Sequence, residues 1–302
     1  MREWKEVVTD RDHGKTVENF LKEHGFSKKE ISRLKFKESG MTVNGIQCRS
    51  TQVLEEGQEI RLHLSDGTDH LKQYGCLEEQ IPLRICYEDG DLLILDKPSG
   101  VSCHPGRGHY QDSLGGQAMA YLASRGEACT LRLIGRLDKD TSGIVVYAKN
   151  QPAAARLWKQ REDGSFHKTY YALVHGILSP KDGEINLPLE EVPGIQNRMQ
   201  PAEKGKGLLA RTFYRTKKVF SDYSLVECKL DTGRTHQIRV HMAFVGHPVL
   251  GDPFYGQNDG VRRLCLHAGK VVLRQPFTGN DICLQIFSPF CQIDLDYFER
   301  SL

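Results

Sequence analysis

The chain has 302 residues, 39% hydrophobic and 26% charged, which excludes a disordered, collagen-like or coiled-coil protein and leaves room for about two domains. Its 41 Lys and Arg against 39 Asp and Glu give a net charge of only +2, so any nucleic-acid contact must come from local patches. MREWKEVVTD lacks the apolar run of a secretory signal, no stretch approaches the ~18 apolar residues of a membrane helix, and nine cysteines lie scattered without C-x-x-C. A cytoplasmic chain with reduced thiols and no membrane partner is expected.

Val17, Phe20 and Leu21 recur at the spacing of a core-facing helix. Ser27 with Glu30 is a capping box that opens a second helix, on which Ile31 and Leu34 turn inward. Lys28, Lys29, Arg33, Lys35 and Lys37 surround that apolar stripe, and Asn44-Gly45 within MTVNGIQC marks a hairpin. Residues 21–50 hold seven Lys and Arg against three acids, whereas 51–70 hold one against five. The bland reading of such a run is a solvated face. Gly25-Phe26-Ser27-Lys28-Lys29-Glu30-Ile31 with Gly40-Met41-Thr42-Val43-Asn44-Gly45 resembles an S4-type RNA-binding domain, although Lys15-Thr16-Val17 replaces that family's Arg-Leu-Asp opening. The resemblance implies a small α/β RNA-binding module over 12–70, with Lys28, Lys29, Arg33 and Lys35 as RNA contacts.

Beyond the polar stretch 65–80 the pattern changes. Short strands are expected at Leu83–Tyr87 and Asp91–Asp96, a helix at Ser113–Ser124, and an apolar strand at Ile144–Ala148. Asn150 is placed to cap a helix that has Pro152 near its first position and runs to about Arg161. Thr169–Val174, Ala210–Phe220 and Tyr223–Leu230 read as strands. A further helix follows Arg234, with Ile238, Met242 and Val245 on one face, stopped by Gly246 and Pro248. Neighbouring strands without regular strand–helix alternation predict an α+β domain over 80–302, built on a mixed or antiparallel sheet with flanking helices.

Several familiar signatures fail on counting. Gly14-Lys15-Thr16 would close a phosphate loop only with Gly at position 9, which is Thr9. Gly205-Lys206-Gly207 does not follow a strand into a βαβ unit, and His236 and His241 are five apart, so neither a dinucleotide nor a zinc motif is present. No cofactor or metal is expected. Three polar stretches remain: Ile134 to Gly143 with Arg136, Asp138 and Thr141; Lys168-Thr169-Tyr170; and Asp231 to His241 with Arg234, His236 and Arg239. Taken singly, Asp138 also reads as a turn carboxylate, Tyr170 as a core strand residue and Arg234 as a buried ion-pair partner.

In combination they resemble the RluA-type family of RNA pseudouridine synthases. Arg136-Leu137-Asp138, Thr141-Ser142-Gly143, Lys168-Thr169-Tyr170 and Gly233-Arg234-Thr235-His236-Gln237-Ile238-Arg239-Val240-His241 match its three ordered motifs. Weaker echoes are Asp96-Lys97-Pro98-Ser99-Gly100, Leu266-His267-Ala268 and Gly251-Asp252. One position departs: the family usually has His before Arg-Leu-Asp, and here Gly135 stands. The resemblance implies isomerisation of uridine in ribosomal or transfer RNA, with no nucleotide cofactor. It implies Asp138 as the carboxylate at C1′, either a nucleophile or a proton acceptor. A buried carboxylate stays ionised beside a cation, and Arg234 is the partner the resemblance points to. Tyr170 is implied as base and stacking ring, with Tyr171 on the opposite strand face. Arg136 is implied either in the space vacated by an everted nucleotide or as a contact to phosphate. Lys168, Thr141, His236 and Arg239 are implied at the substrate. Arg198, Lys204, Lys206, Arg211, Arg215, Lys217 and Lys218 face Glu203 alone within 196–219, and Lys204, Lys206 and Arg211 are read as phosphate contacts against a simple solvated hairpin. The alternatives are a non-catalytic RNA-binding or ribosome-assembly factor of the same fold, and a hydrolase acting on a small glycoside.

Overall fold

The computed structural model describes residues 3–37, 39–64, 82–104, 113–127, 129–203, 205–287 and 290. In the N-terminal part, β1 (Glu3–Val7), α1 (Val17–Glu23), α2 (Lys28–Lys35), β2 (Met41–Val43), β3 (Ile46–Gln47) and β4 (Glu59–His63) form a four-stranded sheet, order β1-β4-β2-β3, with two helices. Ser27 caps α2: its hydroxyl accepts from Glu30 N–H while the Glu30 carboxylate accepts from Ser27 N–H. Val17, Phe20, Leu21, Ile31 and Leu34 pack with Trp4, Ile60 and Leu62 in one core. β1 pairs with β4, so this sheet includes residues ahead of the block expected to begin at 12.

The larger part contains β5 (Arg84–Glu88), β6 (Leu92–Lys97), α3 (Leu114–Ser124), β7 (Arg132–Ile134), β8 (Ser142–Ala148), α4 (Gln151–Glu162) and β9 (His167–His175). It continues with β10 (Asp182–Asn186), β11 (Leu189–Glu191), β12 (Met199–Pro201), β13 (Arg211–Val219), β14 (Tyr223–Leu230), α5 (Gln237–Phe244), β15 (Leu266–Arg274) and β16 (Asp281–Gln285). Among the described residues the main sheet runs β10-β13-β14-β9-β15-β8-β6-β5, with β16 on β15 and β7 on β8. Its pairings are antiparallel except β8 with β15, so the sheet is mixed, as expected. Asn150 caps α4 by accepting from Ala153 N–H at 2.8 Å. Val245 falls outside α5 and is half exposed, because the helix ends at Phe244.

β8 is buried along its whole length. Val145 and Tyr147 turn to a core shared with α3, and Ile144, Val146 and Ala148 to a core shared with α4. This two-sided burial is why its sequence is a continuous apolar run rather than an alternating one. Gly143 has φ +115°, and a Cβ there would lie 2.4 Å from the Ala268 carbonyl oxygen. Only glycine admits the parallel contact of β8 with β15 at this point.

The two parts meet along α4. Arg156 donates to the His24 carbonyl at 2.8 Å, and its guanidinium lies 4.5 Å from the Phe26 ring and 4.3 Å from the Phe277 ring. Arg33, expected as an RNA contact, donates instead to the side chain of Gln151.

Candidate active site

Three segments converge on one cleft of about 860 Å³: the loop between β7 and β8, the start of β9, and the turn between β14 and α5. These are the three motifs isolated from the sequence. Asp138, half buried, lines this cleft together with Arg136, Thr141, Lys168, Tyr170, Arg234 and His236.

The loop carrying Asp138 is pinned on all sides. Lys97, wholly buried at the end of β6, donates through Nζ to the carbonyls of Pro98, Val101 and Lys139 at 2.9, 2.8 and 2.8 Å. Burial pushes its ammonium down to about 8. Ser99 Oγ donates to the Asp140 carbonyl at 2.6 Å, and Gly100 N–H to that of Lys139 at 2.9 Å. Cys103 Sγ donates to the Leu137 carbonyl at 3.3 Å and accepts from Leu137 N–H at 3.4 Å. The Tyr147 hydroxyl holds the Cys103 carbonyl. At the far end Ser142 Oγ accepts from Arg263 at 2.7 Å and lies 2.9 Å from His267 Nδ1. Burial first, then Arg263, pushes His267 down to about 4, so its ring is neutral near pH 7.

The Asp138 carboxylate itself has no hydrogen bond or ion pair among the described residues. Its negative charge acts on Lys97, Tyr170, His236 and Arg239. Tyr170 is pushed well above the usual phenol range, by burial first and by Asp138 second, so it stands as a neutral phenol. Lys168, on the same face of β9, donates to the Gly135 carbonyl at 3.2 Å, and burial pushes it down to about 8. His236 adopts φ +54° and lies with Nδ1 2.9 Å from the Tyr255 hydroxyl, which accepts from Met199 N–H. Burial lowers the His236 imidazole, against an opposing pull from Asp138.

A free carboxylate, a neutral phenol and several guanidinium and ammonium groups in one cleft suit a sugar-directed reaction on an anionic polymer. Comparison with known proteins agrees. Residues 91–244 match the family model described as RNA pseudouridylate synthase. The chain belongs to the RNA pseudouridylate synthase family.

As a member it is an enzyme acting on uridine in RNA. An uncharacterized RNA pseudouridine synthase, YlyB of Bacillus subtilis, is 32% identical over 91% of this chain and 90% of its own. The ribosomal large subunit pseudouridine synthase D of Nitrosomonas europaea is 39% identical over 80% of this chain and 71% of its own. The solved human RNA pseudouridylate synthase domain containing 1 superposes with a TM-score of 0.56 at 26% identity, over 69% of this chain and 84% of its own.

Two expected placements in the synthase are corrected by the structure. Arg234 does not pair with Asp138. Its Nε donates to the Leu209 carbonyl at 2.9 Å, and its own N–H is held at 3.0 Å by the Gln237 side chain, which sets the turn's direction. Arg239 does not line the cleft. It is 1% exposed and makes a bidentate ion pair with Asp252, both bonds 2.7 Å. One helical step decides this, because α5 packs that side of itself against the Asp252 turn. Of the expected phosphate contacts, Lys206 is paired with Glu203 at 2.7 Å and Arg211 lies 3.5 Å from Glu184 and 3.6 Å from Asp231. Lys204 lies outside the described residues. Lys28, Lys29 and Lys35 are exposed on α2.

The sequence motifs include Lys97 and Asp252 among the weaker echoes but assign no role to them, nor to Cys103, Tyr147 and Tyr255, which support the loop and His236. Beside that echo, a lysine closing the apolar run Leu-Leu-Ile-Leu-Asp is itself a physical signal for Lys97, since a charge there must find buried acceptors.

Proposed function

We propose that this cleft receives an everted uridine of ribosomal or transfer RNA, with large-subunit ribosomal RNA the first substrate to test, and that Asp138 acts at its C1′. The observation that carries the assignment is the unpaired Asp138 carboxylate, held on a pinned loop beside the Tyr170 phenol. Converting uridine to pseudouridine breaks N1–C1′, forms C5–C1′, and moves the C5 proton off carbon while N1 gains one, so the reaction is an isomerisation. Asp138 serves it either by adding to C1′ or by removing a sugar proton. Tyr170, a neutral phenol, stacks against the uracil, and it takes the C5 proton only by passing its own to water or a carboxylate. Arg136, exposed at the cleft, supports the displaced strand. Thr141, Lys168 and His236 shape the pocket, and Arg234 contributes positive potential at its wall.

Cations prevail along that wall. Arg132, Arg136, Arg161, Lys168 and Arg234 line the cleft against Asp138 and Asp231, a balance that draws in a phosphate backbone. The N-terminal block, from β1 onward, acts as an S4-like module presenting Lys28, Lys29 and Lys35 to RNA, and 80–302 is the catalytic unit. Ribosomal relatives of Nitrosomonas, Zymomonas and Xanthomonas support the substrate choice. We place the enzyme in the cytoplasm. Among the described residues no helix is long and apolar enough to cross a membrane.

The test is Asp138→Asn, assayed by mapping pseudouridine in protein-free large-subunit ribosomal RNA and in transfer RNA. Turnover should vanish while RNA affinity stays near wild type. Turnover surviving in the variant overturns the assignment of Asp138, and a wild-type protein inert on both RNAs overturns the choice of substrate.

A further inference from the structure

The glycine before Arg136 leaves a space, and a side chain from another element fills it. Gly135 has φ +73°, and a Cβ built there would lie 2.9 Å from Arg161 Nη1. On the facing loop, a Cβ on Gly233 would lie 3.2 Å from Arg161 Nη2. The Arg161 guanidinium is therefore wedged between the loop that carries Asp138 and the turn that carries Arg234. It arrives from α4, where its head lies 5.0 Å from the ring of Trp158, one turn back. Trp158 is 46% exposed and lines the same cleft.

Arg239, Arg234 and Arg263 have acceptors, namely Asp252, the Leu209 carbonyl, and Ser142 with the Leu264 carbonyl, and Arg136 is exposed at the mouth of the cleft. Arg161 has no hydrogen bond or ion pair among the described residues. A guanidinium brings a rigid fork of N–H donors, matched to phosphate and always charged. Held in place by two close backbones and an indole, it keeps that fork pre-oriented at low entropic cost.

We propose that Arg161, lodged in the space beside Gly135 and backed by Trp158, binds an RNA phosphate next to the everted nucleotide. The inference rests on the reading of the cleft as an RNA site, and it deepens that reading by naming a residue outside the three motifs. Arg161 is a binding residue for the strand; it does not touch the reacting atoms.

The test compares wild type with Arg161→Ala and Arg161→Lys in two assays. Affinity for a 20-nucleotide oligouridylate is measured across a salt series, and pseudouridine formation is measured on large-subunit ribosomal RNA. In Arg161→Ala, affinity should fall about tenfold at low salt, and the slope of log affinity against log salt should shrink by about 0.7, the loss of one single-strand phosphate contact. Arg161→Lys should restore the slope and only part of the affinity. On ribosomal RNA the loss should fall on KM more than on kcat. As an independent check, RNA should quench Trp158 fluorescence in a Trp4→Phe background, Trp4 being the second of two tryptophans. An Arg161→Ala protein with wild-type affinity and salt slope overturns the proposal. So does an affinity loss that matches a lowered melting temperature while the slope stays unchanged. A wild-type protein that forms no pseudouridine yet shows the slope change overturns the activity reading and leaves Arg161 as a phosphate contact.

Discussion

Replacing Arg239 by methionine separates a structural arginine from a substrate-binding one. The Arg239–Asp252 side chains are 1% and 0% exposed. Asp252 Oδ1 also accepts from the N–H groups of Phe254 and Tyr255 at 2.9 and 3.2 Å. The guanidinium further lies 5.3 Å from the Phe254 ring and 5.2 Å from that of Tyr255. Arg239→Met leaves the carboxylate buried with two backbone donors and no counter-charge. Breaking such a pair costs ~3–5 kcal/mol. At ~2–4 °C per kcal/mol for a domain of this size, the melting temperature should drop by roughly 6–20 °C. Turnover should suffer too, because the Asp252 turn carries Tyr255 and Tyr255 holds His236. Circular dichroism melts measure the drop. The double variant Arg239→Met, Asp252→Leu should recover much of it, since an apolar pair removes the stranded charge. A single variant of wild-type stability, with KM for RNA raised, would refute this reasoning and return Arg239 to the substrate.

Other expected outcomes test the pinned loop and the buried lysines. Lys97→Met strips donors from three carbonyls, at ~1–3 kcal/mol each, so urea unfolding should show a loss of about 3 kcal/mol or more and turnover should fall further than RNA affinity does. Lys97 and Lys168 are both pushed by burial from the ordinary 10.5 to about 8. Between those values the unfolded chain keeps protons that the native chain has released, so these two lysines make stability rise with pH, by up to about 1.4 kcal/mol per pH unit for each. Urea unfolding from about pH 8 to about pH 9.5 should show a shallower rise in Lys168→Met, and an unchanged slope would count against a lowered Lys168. Gly143→Ala should cost at least the ~1–3 kcal/mol of a strained backbone, because its methyl would press on Ala268; a wild-type melt would show that β8 and β15 are less tightly apposed.

Local signals were read correctly where they were self-contained. Ser27 and Asn150 cap α2 and α4 because a cap is settled within three residues of chain. Tyr170 and Tyr171 face opposite ways because strand alternation is a backbone property, and Tyr171 closes over Gly269 on the far side. Strands β1 and β15 carry no such local signal, since β4, β8 and β9, with which they pair, lie far away in sequence.

The amino-acid order alone therefore determined the caps, the alternation along β9, and the three polar segments with Asp138 and Tyr170 among them. Tertiary structure alone decided which arginine does what. Arg136, Arg234 and Arg239 look alike along the chain, yet one is open to the cleft, one is tied to the Leu209 carbonyl and one is sealed against Asp252. Hydrogen-bond periodicity acts over a few residues, whereas the fate of a charge depends on which acceptor, indole or empty space distant segments bring within about 4 Å of it.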